Sequence, residues 1–213
     1  MLTQEEIYDA LCKRHGKAVQ DKLANARVAV AGLGGLGSNI AISLARIGVG
    51  HLHLVDFDRV DLTNLNRQHY FIRHLGAYKT DALKEQILQI NPYIQVVTDC
   101  LKITADSVPA LFAGEDIICE AFDVPEQKAM LVNAVLETLP EKILLSGNGM
   151  AGYGNSNAIR TRQILPRFYL CGDEVSGNDT KSLMAPRVAI CAAHEANMAA
   201  ALLIEHIGKR NRR

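Results

Sequence analysis

Residues 32–38 read Gly-Leu-Gly-Gly-Leu-Gly-Ser between a β-branched run, RVAVAG, and a helix-like run, LGSNIAISLARIG. A glycine loop in that setting is the fingerprint of a nucleotide-binding turn. In such a turn Gly32 permits the tight bend. Gly34 and Gly35 remove side chains so that backbone can approach a ligand, and Gly37 lets the helix pack on the strand. Free amides at the helix start favour a phosphate or ribose there. Asp56 closes the next apolar run 19 residues after Gly37, about where an acid that holds ribose hydroxyls belongs. A glycine turn with no ligand is the plain alternative. The pattern does not choose among NAD, FAD and ATP, and on its own it favours a nicotinamide-dependent oxidoreductase.

The stretch after Asp56 changes that balance. It reads DRVDLTNLNRQHY and carries Asn64, Arg67 and Gln68, and Lys79 opens the following helix. Taken singly, a loop asparagine serves a turn, an exposed arginine solvates a surface, and a lysine near a helix start does nothing in particular. Together they stand downstream of the ribose acid, on the carboxyl side of the sheet where open α/β folds bind ligands. A dinucleotide's two phosphates are already served by the glycine loop. A nucleoside triphosphate, with about four negative charges, needs further donors and a metal. Asp123, ending the run IICEAFD, is placed to hold magnesium. It is equally placed to cap the helix that starts at Pro125.

The elements that must position these groups follow from periodicity. Thr3 and Glu6 form a capping box for a helix ending at Gly16, and KAVQDKLAN continues as a second one. Strands then alternate with helices: RVAVAG, LGSNIAISLARIG, HLHLVDFD, KTDALKEQILQIN stopped by Pro92, IQVVTD, ADSVPALFA, DIICEAFD, PEQKAMLVNAVLETL and KILLSGN. This alternation predicts an α/β, Rossmann-like, mostly parallel sheet with helices on both faces. The C-terminal part is expected to add antiparallel strands, with NAIRTRQIL as an exposed one. Residues 170–186 read as a long loop, and a final helix runs from Pro186 to Gly208. The tail KRNRR reads as a solvated end. One domain over residues 1–213 is expected, with an N-terminal helical segment (1–25), a nucleotide-binding core (26–150) and a remainder of strands, loop and final helix (151–213).

Composition narrows the partners. The chain has 213 residues, 48% of them hydrophobic, and 23 basic against 23 acidic side chains, so no global field draws in nucleic acid or an acidic membrane. No apolar run approaches the roughly 18 residues of a membrane helix. The polar N-terminus is unlike a secretory signal. Cys12, Cys100, Cys119, Cys171 and Cys191 form no C-x-x-C pair. A cytoplasmic home is expected.

The succession GLGGLGS, LVDFDRVDLTNLNRQ, Lys79, LQINP and EAFD, from about Arg27 to Gly149, resembles the ubiquitin-activating-enzyme-like superfamily. Within it the chain is similar to the short ThiF group, adenylyltransferases that act on the sulfur-carrier protein ThiS in thiamine biosynthesis. The resemblance implies ATP and Mg2+ as cofactors and a small ubiquitin-fold sulfur-carrier protein as partner, whose C-terminal carboxylate attacks the α-phosphate. It implies that Asp56 holds the ribose, that Asn64, Arg67, Gln68 and Lys79 hold the phosphates, and that Asp123 binds magnesium. Asp58 matches an acidic position near the nucleotide. The resemblance also implies a homodimer in which an N-terminal arginine, Arg14, reaches the triphosphate, although a helix-surface arginine reads the same way. The small-residue face of AICAAHEANMAAALL suits either a dimer interface or the chain's own core. Longer relatives bind zinc through two C-x-x-C pairs that are lacking here, so no zinc is expected. Cys171 lies in the region where some relatives place a reactive cysteine, but Asp173 and Glu174 beside it would raise its pKa. A molybdenum-cofactor carrier is the alternative partner.

Overall fold

The computed structural model describes residues 2–177 and 182–205. Helices α1 (Gln4–His15) and α2 (Lys17–Ala24) lead into β1 (Arg27–Ala31), α3 (Gly35–Arg46) and β2 (His51–Val55). A long connection with two 3-10 turns precedes α4 (Lys79–Ile90). Then follow β3 (Gln95–Asp99), α5 (Val108–Phe112), β4 (Ile117–Glu120), α6 (Pro125–Thr138) and β5 (Ile143–Gly147). The described chain ends with β6 (Arg160–Leu165), β7 (Phe168–Gly172) and α7 (Ala185–Glu205). The expected capping box is present, with the Glu6 N–H donating to Thr3 Oγ1 and the Thr3 N–H to Glu6 Oε2.

The strands make one seven-stranded sheet in the order β3-β2-β1-β4-β5-β7-β6, parallel except for the β6–β7 pair. Alternate residues of each central strand feed opposite faces. Val28, Val30, Leu52, Leu54 and Leu145 meet α3, α4 and α7, whereas Ala29, Ala31, Ile118 and Leu144 meet α5 and α6. The order reverses at β1, from which the chain crosses to β2 on one side while β4 lies on the other. A crevice opens there at the carboxyl ends.

Two expectations need correction. Residues 170–172 are not loop but the end of strand β7, which is parallel to β5. Tyr169 and Cys171 are buried on one face and Phe168 packs on the other, so this strand lacks the polar–apolar alternation that marks a half-exposed one. Second, α7 is long and apolar enough to cross a membrane by length and composition alone, which interrupted apolar runs in the sequence concealed. Of the two alternatives for the small-residue face of α7, packing in the chain's own core is seen for Ala192, Ala196 and Ala199, which are buried in the α3 layer. The end of the expected final helix and the tail KRNRR lie outside the described residues.

Midway along β2, His53 is buried against Phe112 with Nε2 2.7 Å from Asp99 and Nδ1 3.4 Å from Glu115. Burial pulls its pKa down, but the Glu115 and Asp99 carboxylates outweigh that and raise it above the ordinary histidine value. A raised pKa stabilises the fold fully below the unfolded value of about 6.5 and loses that contribution as pH rises through the folded value. Denaturant titrations of wild type and His53→Asn should therefore show a stability gap that shrinks as pH rises from about 6 to about 9.

Candidate functional site

The crevice forms a cleft of about 590 Å³ lined by the glycine turn, the ends of β2, β4 and β5, and two loops near α7. The turn is fixed from several sides. The Gly32 N–H donates to Val55 O at 2.8 Å, and φ of +88° at Gly32 suits glycine alone. A Cβ on Gly37 would lie 1.8 Å from Gly32 O, so that glycine serves contact with the turn and β1. Gly34 faces open space near Gln68, whereas a Cβ on Gly35 would strike Val188 of α7. The two central glycines thus do different things: one opens the cleft and the other admits the last helix.

Asp56, buried at the end of β2, accepts the Leu33 N–H at 2.6 Å through Oδ2 and the Asp58 N–H at 2.8 Å through Oδ1. The polar loop is then fastened to the turn and to α3. Tyr70 Oη donates to Leu33 O at 2.8 Å, the His69 N–H donates to Ser38 Oγ at 3.0 Å, and Asn39 Nδ2 donates to Arg67 O. Burial, with the charges of Asp56 and Asp58 next, pushes the Tyr70 phenol well up, so it stays a neutral donor. The loop is a bracket that carries Arg67 and Gln68 to the cleft wall.

Lys79 is buried at the start of α4, and its Nζ lies 2.8 Å from Asp58 Oδ2. Arg67 Nη1 donates to Asn66 Oδ1 at 2.9 Å, and Gln68 is buried with Oε1 unpartnered. Arg67, Gln68, Lys79, Asp56 and Asp58 all line the cleft together with Gly32, Gly34 and Gly35. Asn64 does not line it. Its Oδ1 accepts the Asp61 N–H, and Asp61 Oδ1 accepts the Thr63 N–H, so Asn64 closes the 3-10 turn Leu62–Asn66. Arg14 is exposed on α1 and is likewise outside the cleft lining.

Asp123 is exposed in the cleft wall just past β4. The capping alternative fails, because the N-cap of α6 is Val124 and no side chain bonds there. A single carboxylate in the same cleft as Arg67 and Lys79 fits the donor set of Mg2+, which keeps several waters and takes one or two carboxylates plus substrate phosphates. Among the described residues no three His, Cys, Asp or Glu side chains converge as a metal site, so phosphate oxygens would complete any coordination.

A pair not singled out from the sequence stands behind Asp123. Glu120, fully buried, is held by Lys128 Nζ at 2.9 Å, and Lys128 reaches the cleft. A glutamate beside the end of a buried strand and a lysine one turn into the next helix was the available signal.

At the far end, Asn148, Gly149, Met150, Ala151 and Ser176 line the cleft. Arg187 of α7 ties two loops there, donating from Nη1 to Gly154 O and Asn155 O and pairing through Nη2 with Asp173. Burial pushes the Asp173 carboxyl up, but the Ser176 and Val175 amides, the Ser176 hydroxyl and Arg187 outweigh it and bring it to about 2. Cys171 is fully buried, and its pKa is pushed up to about 12. The causes are burial and then Glu195, with Thr161 opposing, rather than Asp173 and Glu174 as the sequence suggested. Brief alkylation of the native protein near pH 8 should label exposed Cys100 and spare Cys171; mass mapping of the adducts checks this.

A Rossmann-like sheet with a glycine turn, a buried acid at the end of β2 and basic and amide side chains gathered in one cleft defines the class of α/β nucleotide-binding folds. The model of the ThiF family matches residues 8–212, and the chain belongs to that family. It is 40% identical over 124 residues to a tRNA threonylcarbamoyladenosine dehydratase of Bacillus subtilis, a match covering 57% of this chain and 49% of the relative. It is 29% identical over 197 residues to a molybdopterin-synthase adenylyltransferase of Salmonella typhimurium, covering 89% and 77%. The chain thus spans about half the length of the first of these relatives. Among solved structures, Escherichia coli tRNA N6-threonylcarbamoyladenosine dehydratase in complex with ATP superposes with a TM-score of 0.87 at 20% identity over 99% of both chains. Escherichia coli MccB with ATP gives a TM-score of 0.69 at 26% identity, covering 88% of this chain and 59% of that one.

Proposed function

We propose that this chain is an ATP-dependent adenylyltransferase that activates the C-terminal glycine carboxylate of a small ubiquitin-fold sulfur carrier of the ThiS type, in thiamine biosynthesis. The observation that carries the reading is the convergence of Asp56, Arg67, Gln68, Lys79 and Asp123 on one cleft beside the glycine turn. Relatives named as adenylyltransferases and the ATP complex of MccB support it.

The carrier's carboxylate attacks the α-phosphorus of ATP, the bond to the bridging oxygen breaks, and pyrophosphate leaves as the acyl-adenylate forms. A carboxylate is already ionised, so no general base is required; alignment and charge neutralisation dominate. Asp56 receives the ribose hydroxyls on the lone pairs it does not give to the backbone. Lys79 and Arg67 offset charge on the phosphates, and Gln68 adds a donor. Mg2+, when bound at Asp123, would neutralise the leaving pyrophosphate. The slot formed by Asn148–Ala151 and Ser176 takes the carrier's slender C-terminal tail. Homodimerisation, with Arg14 reaching the partner's triphosphate, belongs to this reading.

A second reading is favoured by the Bacillus subtilis relative, whose named substrate, tRNA threonylcarbamoyladenosine, also carries a carboxylate open to adenylylation. The balanced charge of the chain offers no broad basic surface for tRNA. The test is exchange of labelled pyrophosphate into ATP, run in parallel with a ThiS-type carrier, a molybdenum-cofactor carrier and the modified tRNA. Exchange only with the ThiS-type carrier is expected; exchange only with one of the others reassigns the substrate. Lys79→Ala and Arg67→Ala should each slow exchange by about 100-fold or more, and normal rates in both would overturn the phosphate assignments.

A further inference from the structure

Glu120 and Lys128 form more than an ion pair. Glu120 Oε1 accepts the Phe122 N–H at 2.7 Å, and Lys128 Nζ donates to Phe122 O at 3.0 Å as well as to Glu120 Oε1 at 3.0 Å. Both backbone groups of the residue preceding Asp123 are therefore held by this one pair. Ser146 on β5 donates to the other Glu120 oxygen, which ties the assembly to the neighbouring strand. On the opposite side, Phe122 and Ala121 O press against Gly32 so closely that a Cβ there would lie 2.9 Å from the ring. The segment carrying Asp123 is thus clamped between the glycine turn and a buried charge pair.

The arrangement carries a cost that a purely structural strand end would not incur. Glu120 is wholly inaccessible, and burying a carboxylate is expensive unless it is paired and hydrogen-bonded. Glu195 of α7, also wholly buried, has both oxygens without a partner. Burial and then Glu120 hold its carboxyl well above the ordinary range. Lys128 is the counter-ion of Glu120, hydrogen-bonded to Oε1 and within ion-pair distance of Oε2, and it also donates to Phe122 O.

We infer that Glu120 and Lys128 are positioning residues that fix the Phe122–Asp123 backbone so that the Asp123 carboxylate points at the metal accompanying the triphosphate. This rests on the adenylyltransferase reading and on Asp123 as the metal-side carboxylate. Lys128 is assigned to act through Phe122 rather than on the nucleotide, because its ammonium group is tied to Glu120 and to Phe122 O.

The test measures ATP binding to the full chain by calorimetry across a MgCl2 titration, with Mn2+ binding followed by electron paramagnetic resonance. In Lys128→Met the Mg2+ concentration for half-maximal tightening of ATP should rise about tenfold, while metal-free ATP affinity stays within about twofold. Lys128→Arg should restore the metal requirement to within about threefold. Glu120→Gln keeps the shape but removes the charge, and should shift the metal requirement in the same direction; it carries the test if Lys128→Met does not fold. An unchanged metal requirement in the folded variants overturns the inference. An equal loss of metal-free affinity in Lys128→Met also overturns it, making Lys128 a direct ligand of ATP. Asp123→Asn separates the two levels. If it binds ATP and Mg2+ as wild type does, the metal role of Asp123 is wrong and the inference falls with it. If it loses the Mg2+ response while Lys128→Met keeps it, only the positioning role falls.

Discussion

The carboxylate of Asp56 is the point on which the cleft depends. It holds the glycine turn through the Leu33 amide and the start of the polar loop through the Asp58 amide. Asp56 directly follows strand β2, which is held between β1 and the edge strand β3. A charge-assisted bond from a buried carboxylate to backbone is stronger than its neutral counterpart, and here two of them converge on one residue. Two otherwise unrelated loops thereby share one rigid reference. Tyr70 closes the same ring from the other direction by bonding to Leu33 O. The loop's apparent excess of length is what brings that tyrosine, Arg67 and Gln68 back over the turn.

The cleft carries its charges in compensated form. Lys79 is buried but faces the half-exposed Asp58, and Lys128 faces Glu120. A cation kept in a dry wall without a counter-ion would pay heavily in lost hydration. The two pairs differ in consequence. Asp58 is accessible and can yield Lys79 to an incoming anion, whereas Glu120 is enclosed and keeps Lys128 in place. One pair is suited to exchange partners and the other to hold shape.

Much of this was legible in the sequence, for identifiable reasons. The parallel core was visible because β-branched runs alternate with helices of regular length, and the glycine turn because its spacing is imposed by close backbone contacts. Asp56, Arg67, Gln68, Lys79 and Asp123 came together because they sit at or just beyond carboxyl ends of adjacent strands, which topology alone brings to one edge. Asn64 was misplaced because an asparagine in a polar loop carries the same signature whether it meets a ligand or closes a turn. The end of strand β7 was missed because its second face, Phe168 and Leu170, is apolar and half-buried, so no polar alternation marks it. Gly35 does line the cleft, but its second constraint, Val188, lies more than 150 residues away in sequence and left no local signal. Glu120 and Glu195 escaped notice because nothing local tells a buried acid from a solvated one.

The contact of Gly35 with Val188 also bears on the order in which the protein is made. Chains emerge from synthesis N-terminus first, and segments fold as their partners become available. The glycine turn is among the earliest parts of the sheet to appear, yet one wall of its cleft is α7, the last described helix. Until that helix docks on α3, the face of α3 that it covers stands open to water. A nascent chain can therefore possess the whole nucleotide signature and still lack a nucleotide site. Competence is gained late and all at once, when the final helix closes over a turn made some 150 residues before it.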